Sequence, residues 1–279
     1  MVGNRASSAR LWQVLGNAIL IFGVLLMIMP FLYMISASFK PGSEIYTIPF
    51  QFFPENIYLG NYLLLFQQTS FIRWFENSVI VALGRTILGV ILSLMAGYAF
   101  AKFDFRGRNV LFILVIATLT LPIYVILIPL YSMMVRMGWI NSYSALILPF
   151  GAQAIGVFLA RQYLLGVPNE LLEAARIDGA GEWNIFMRII LPIAQPVTAT
   201  MAILFFSAAW KDFIWPLIIL NDDKMFTVSL GLPSLIGPYT QEYGAVMAGS
   251  FMGTLPILII FLIMQRRFIE GVMAGAIKG

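Results

Sequence analysis

Few residues in this chain are of the types that usually carry catalytic or metal chemistry. The 279-residue sequence contains no Cys and no His, so a zinc site or a His-activated nucleophile has no ligands or base. It also contains no Gly-Lys pair, which excludes the phosphate-binding loop G-x-x-x-x-G-K-[ST]. We therefore predict that the chain is not an enzyme, has no metal site and binds no cofactor itself.

The composition predicts an all-α, polytopic membrane protein. With 60% hydrophobic and 11% charged residues and a mean hydropathy of +0.89, the chain has too few charges to cover a water-soluble globule. A helix needs about 20 apolar residues to cross the bilayer, and the sequence offers six such stretches within one membrane domain, residues 1–279. They lie at about 11–39, 77–101, 110–135, 140–160, 189–210 and 245–264.

The distribution of Lys and Arg predicts the orientation. With the N-terminus inside, the inner segments hold 11 of these residues and the outer segments 5, as the positive-inside rule requires. Both termini are therefore expected in the cytoplasm. The net charge of +4 then needs no nucleic acid to explain it.

Charged and kinking residues within the spans point to polar surroundings. Arg85 interrupts the second span, where it could line a water-filled path or bind carbonyls that prolines release. Asp212 follows Lys211 at the end of the fifth span, and we expect a solvated pair there. No Asp, Glu or His lies at the centre of a span, which argues against a proton- or sodium-coupled carrier. Active transport would need a partner to supply energy.

Two loops outside the spans have a distinctive composition. The outer loop from Lys40 to Glu76 is rich in proline and aromatic residues and is either a lid packed on the membrane surface or a spacer. The inner loop, 161–188, contains a predicted short helix with Asn169 as N-cap and Gly179 at its left-handed end. One face of that helix carries Leu171, Ala174, Ala175 and Asp178, and it either receives a closely packed partner or lies on its own bundle.

The same inner loop resembles a known family. Glu173-Ala174-Ala175, then Gly179, then Ile189 and Leu191-Pro192 match the EAA signature of ABC importer permeases at every spacing. The segments 173–180, 210–217 and 271–279 resemble the carbohydrate branch. Over nearly its whole length the chain is similar to the second, six-helix permease subunit of maltose-type sugar importers, although relatives often carry Asn where this chain has Lys211.

The resemblance implies a type I (MetI-like) permease fold in the cell membrane of a prokaryote. It implies a heterodimer with a second permease, two ABC ATPases that bind ATP and Mg, and an extracytoplasmic solute-binding protein. The expected ATPase-coupling positions are Leu171, Glu173, Ala174, Ala175, Asp178 and Gly179, with a further contact at Gly275, Lys278 and Gly279.

A sugar path needs hydrogen-bonding and aromatic side chains, for which the candidates are Tyr124, Gln153, Trp210 and Arg85. Each could equally serve in packing between helices. The alternatives are the same architecture for another solute, such as glycerol phosphate or a polyamine, or a standalone channel or membrane scaffold.

Overall fold

The computed structural model describes residues 3–237 and 242–276, with side chains for 12–237 and 242–266. Its main elements in these ranges are twelve helices, joined by shorter helical turns. They are α1 Gly3–Ser38, α2 Gly60–Gln68, α3 Phe71–Lys102, α4 Arg108–Ala117, α5 Ile123–Arg136, α6 Tyr143–Ile147, α7 Ala154–Leu165, α8 Asn169–Ile177, α9 Glu182–Ile185, α10 Gln195–Trp210, α11 Ile214–Ile219 and α12 Tyr243–Ala276.

Three helices are long and apolar enough to cross a membrane by themselves: Trp12–Ser38 of α1, α3, and Tyr243–Arg266 of α12. Three more candidates arise only if two helices joined at a bend count as one span, with angles of 101° between α4 and α5, 42° between α6 and α7, and 78° before α10. The six-span count stays a prediction. Within the predicted span 110–135 the chain turns sharply at Pro122, so that span also stays a prediction.

Prolines explain where the bends fall. Leu121 is extended (φ −79°, ψ 119°) immediately before Pro122, as expected because proline excludes the preceding residue from the helical region. Breaks also follow Pro149 and precede Pro196, whereas Pro30 and Pro256 lie inside continuous helices. The presence of a proline alone therefore does not decide between a continuous helix and a break.

Side chains from other elements satisfy the carbonyls exposed at these breaks. The indole Nε1 of Trp215 donates to the Ala145 carbonyl at 2.9 Å. Ala145 lies four residues before Pro149, and since proline has no backbone N–H, this carbonyl has no donor within its own helix. The Tyr163 hydroxyl donates to Ile193 at 3.0 Å, beside the break before α10. Non-helical backbone at membrane depth is tolerated only when protein or water pairs it, so these contacts stabilise the bends.

The chain divides into two compact units, residues 1–71 with 232–254 and residues 72–231 with 255–279. In the second unit, Gly97 allows α3 to approach α7, since a Cβ added there would lie 2.4 Å from the Ala160 Cβ. This contact belongs to a core cluster that includes Leu94, Leu164, Ile185 and Phe205. The cluster lies directly beneath α8.

Candidate coupling surface

The local sequence fixes both ends of α8, though not at the residue expected for the first. Pro168 is the N-cap and Asn169 is already helical, so the prediction of Asn169 as N-cap is wrong. The Asn169 Oδ1 instead accepts a hydrogen bond from Lys102 Nζ at 2.7 Å, while Pro168 suits a helix start because it has no N–H to satisfy. The helix therefore begins with a tie to α3.

Gly179 ends α8 in the left-handed conformation, as the sequence predicts. Its φ is +81°, the Ala180 N–H donates to the Ala175 carbonyl at 2.9 Å, and the Gly179 N–H donates to the Arg176 carbonyl at 3.0 Å. These two bonds define a Schellman motif, which satisfies carbonyls of the last helical turn. Glycine adopts such a φ without the steric penalty that a Cβ brings.

The face predicted on α8 is divided in the structure. Leu172 is 1% exposed and belongs to the core cluster beneath the helix, and Ala175 is half-buried against the same cluster. Leu171, Ala174 and Asp178 are exposed. Their side chains are rotated by about 100° around the helix axis from the side on which Leu172 and Ala175 lie. One side of the helix therefore packs on its own bundle and the other is uncovered in this chain, and docking of a partner on that side stays a prediction.

Polar contacts hold α8 at its two ends. Near the start, Lys102 Nζ donates to the Val167 carbonyl at 2.5 Å as well as to Asn169. Near the end, Arg176 Nε donates to Glu182 Oε1 at 2.7 Å, and the Tyr98 hydroxyl donates to the other Glu182 oxygen at 2.9 Å. The hydrogen bond with Glu182 raises the pKa of Arg176 above its usual value. The helix is thereby connected to α3 and α9.

The surface around the end of α8 is open. A Cβ added at Gly179 would have no atom within 4 Å among the described residues, and Glu173 is exposed. A depression next to the C-terminal end of α8 is lined by Asp178, Gly179, Ala180, Asn184 and Arg188. Gly275 is in α12, whereas Lys278 and Gly279 lie outside the described residues.

Arg85, which is buried, and Asp212, which is partly buried, form an ion pair, with Arg85 Nη1 2.8 Å from Asp212 Oδ2. Arg85 Nε also donates to the Leu146 carbonyl, and its guanidinium lies 4.1 Å from the centre of the Phe150 ring. The predicted solvated pair of Asp212 with Lys211 is therefore wrong, because Asp212 turns toward a cation that would otherwise be buried without a counter-charge. Of the two interpretations of Arg85, the structure shows binding to a carbonyl.

The proposed path residues differ in environment. Trp210 is 5% exposed and stacks on Phe206 with ring centroids 5.5 Å apart, so packing covers its aromatic face. Tyr124 is 68% exposed on the first turn of α5, just after the 101° bend. Gln153 is half-buried as the N-cap residue of α7. A role of these residues in a path stays a prediction.

Sequence reasoning missed the residues that hold α8 in place. Tyr98, Lys102, Leu172 and Glu182 come from three different helices, and no short-range pattern relates them. The only sequence signal is the apolar residue Leu172 one helical turn before Ala175. No group of three or more His, Cys, Asp or Glu among the described residues could hold a metal ion.

The described residues include three helices long enough to cross a membrane and three bent helix pairs that could each be a further span. The model for the family of binding-protein-dependent transport system inner membrane components matches residues 89–271. The chain belongs to this family, and it is a non-catalytic transport permease subunit with the MetI-like fold.

The relatives agree with this family. The arabinooligosaccharides transport system permease protein AraQ of Bacillus subtilis is 40% identical, over 91% of this chain and 92% of its own. The lactose transport system permease protein LacG of Rhizobium radiobacter is 34% identical, over 96% and 97%. The sn-glycerol-3-phosphate transport system permease protein UgpE of Brucella abortus is 31% identical, over 94% and 96%.

A solved structure shares the fold. A chain of a bacterial ABC transporter involved in the import of the acidic polysaccharide alginate superposes with a TM-score of 0.82. The match covers 94% of this chain and 98% of that one, at 21% identity. A second matching structure, with a TM-score of 0.69, is the alginate transporter in complex with a pentasaccharide-bound periplasmic protein.

Proposed function

We propose that the chain is one of two permeases that form the translocation path of an ATP-driven sugar importer. Of two cytoplasmic ATPases, which bind ATP and Mg, one docks on α8 and the other on the second permease, and an extracytoplasmic binding protein delivers the sugar. The observation that carries the proposal is the uncovered side of α8, formed by Leu171, Ala174 and Asp178, beside the open space at Gly179. Both termini are cytoplasmic in this arrangement, and the tail at Gly275, Lys278 and Gly279 makes a second ATPase contact.

The ties of α8 support transmission of force. A helix held at both ends by Lys102 and Glu182, and packed through Leu172 on the core beneath it, moves as one body with α3. A displacement imposed on its uncovered side by an ATPase is then passed to α3, whose 32 residues are long and apolar enough to cross the membrane. Switching between two states by rigid-body rotation requires such a stiff contact.

Cross-linking tests this docking. Because the chain has no Cys, Ala174→Cys introduces a single thiol on the uncovered side of α8. We expect a short bifunctional reagent to join it to the ATPase subunit in membranes that contain the whole importer. The matched control is Arg106→Cys, which is also an exposed position. Arg106 lies in the turn that follows Lys102, and Lys102 bonds to Asn169 of α8. Both thiols are therefore on the same side of the membrane. Equal yields at both positions would contradict docking at α8, and no yield at Ala174→Cys would contradict the docking role and favour a standalone channel or scaffold.

The solute is proposed to be a sugar, and glycerol phosphate is the main alternative. The relatives include both sugar systems and an sn-glycerol-3-phosphate system. Binding of a phosphate-carrying solute is stabilised by a cation that has no other counter-charge. The guanidinium of Arg85 already has Asp212 as its counter-charge and also donates to a carbonyl. This observation favours an uncharged oligosaccharide.

Calorimetric titration of the cognate binding protein tests the solute class. We expect heat of binding with neutral oligosaccharides and none with glycerol phosphate or a polyamine, each added to the same protein sample. Binding of glycerol phosphate alone would move the chain to the alternative solute without affecting the coupling role of α8.

A further inference from the structure

The loop between α1 and α2 exposes large apolar side chains. Tyr46, Ile48, Phe50, Phe53 and Ile57, here called the loop patch, are each more than 60% exposed, and Ile48 reaches 98%. The ten residues 45–54 contain no charge. An exposed apolar group of this size on a soluble surface marks an interaction site, so something other than water is expected to cover it.

The loop is attached to the last turns of α1. The Tyr33 hydroxyl donates to the Ile45 carbonyl at 2.8 Å, and the Ser36 hydroxyl donates to the Phe52 carbonyl. The Tyr33 ring also lies 5.3 Å from that of Phe50. Tyr33 and Ser36 therefore fix the height of the loop along α1.

With the apolar part of α1 centred in the bilayer, that height coincides with the boundary between lipid tails and headgroups. The apolar part of α1, Trp12–Ser38, is about 40 Å long at 1.5 Å per residue, while the hydrocarbon layer is ~30 Å thick. If the segment is centred in the bilayer, its end extends about 5 Å beyond the hydrocarbon on each side. Tyr33 is about 8 Å before that end, so it lies just inside the boundary and Ser36 just outside it.

Part of the loop backbone is paired by side chains of the same chain. Carbonyls of Ile45, Gln51 and Phe52 all accept hydrogen bonds from side chains. The donor to Gln51 is the amine of Lys40, which is fully buried, and a buried lysine is costly unless it is well paired. Irregular backbone beside lipid is tolerated only if protein satisfies it.

We propose that the loop patch inserts into the membrane interface and anchors this end of α1 in the lipid leaflet. The occupant is the lipid surface itself, because the patch lies at the boundary depth, its five residues carry no charge, and it combines Tyr46, a residue type enriched in this zone, with the apolar aromatics Phe50 and Phe53. The anchor would hold the loop in one position against the bilayer while the rest of the importer changes state. The inference does not depend on which solute is transported.

Spin labelling tests the anchor in the whole importer, reconstituted in vesicles of phosphatidylcholine and phosphatidylglycerol. Nitroxides are placed at Ile48→Cys and Phe53→Cys, and the parent importer, in which this chain has no Cys, gives the background. Glu55→Cys is the matched control, since Glu55 is exposed in the same loop and carries a charge. We expect relaxation by oxygen, which concentrates in lipid, to exceed relaxation by a water-soluble nickel chelate several-fold at positions 48 and 53, with the order reversed at 55.

Three outcomes would overturn the proposal. Stronger relaxation by the nickel chelate at positions 48 and 53 would show that the patch is in water. Weak relaxation by both reagents would show that another subunit covers it. Oxygen accessibility that disappears when the loaded binding protein is added would show a protein-docking surface. If one labelled variant fails to assemble, Ile57→Cys provides a second exposed position in the patch.

Discussion

Gly179→Asp should abolish solute uptake while the importer subunits remain at normal levels in the membrane. Asp is among the residues that tolerate a φ near +81° best, so the backbone penalty is small, on the order of 1 kcal/mol. The new carboxylate also meets no atom of the described chain, because the space around Gly179 is open. The loss is therefore expected from the partner, whose close approach the added bulk and charge prevent. Uptake of labelled solute and immunoblots of the membrane fraction measure the two quantities.

Gly107→Asp is the matched control for this variant. Gly107 also has a left-handed φ, +87°, and open space around its Cα, but it lies in the turn before α4 rather than on α8. We expect uptake close to that of the parent. Gly179→Asn separates charge from bulk, since the two side chains are nearly identical in size. If Gly179→Asp transports normally, or if Gly107→Asp fails equally, the docking role of Gly179 is contradicted.

Asp212→Ala should lower the thermal stability of the importer more than any exposed charge substitution. The change leaves the Arg85 guanidinium, 4% exposed, without its counter-charge, and breaking such a pair typically costs about 3–5 kcal/mol. The backbone N–H of Trp215, which donates to Asp212 Oδ1 at 3.3 Å, also loses its acceptor. We expect a lower unfolding midpoint for the purified complex and less assembled importer in the membrane.

The double variant Arg85→Met/Asp212→Ala should be more stable than Asp212→Ala alone, because it leaves no uncompensated buried charge. Full recovery is not expected, since the Leu146 carbonyl loses the Arg85 donor. Glu76→Ala is the surface control: the Arg73–Glu76 pair is exposed at both side chains, and pairs of this kind contribute about 0–1 kcal/mol. An unfolding midpoint of Asp212→Ala equal to that of Glu76→Ala would show that the buried pair contributes little.

The parts of α8 that could be predicted are those set by neighbours along the chain. Its C-terminal end depends on a glycine that adopts a positive φ, so Gly179 was identifiable from the sequence. The N-cap was predicted wrongly because Asn169 bonds to Lys102, which lies 67 residues earlier. Local capping propensity cannot take account of a partner on another helix.

The broken helices show the same limit. Each proline identified a place where a hydrogen bond is lost, but the sequence could not tell a kink from a break. That outcome depends on donors such as Trp215, 70 residues from the Ala145 carbonyl that it pairs. The pairing of Asp212 with Arg85, rather than with the adjacent Lys211, was hidden for the same reason.

By itself, the sequence determined that this protein resides in a membrane, is helical, lacks catalytic chemistry and carries the family's loop, because composition and short spacings are local properties of the chain. Only the tertiary structure decided which side of α8 is uncovered, how Arg85 is neutralised and where the first loop is attached. Those features arise from contacts between residues far apart in sequence, and their energies depend on burial, which exists only once the chain has packed.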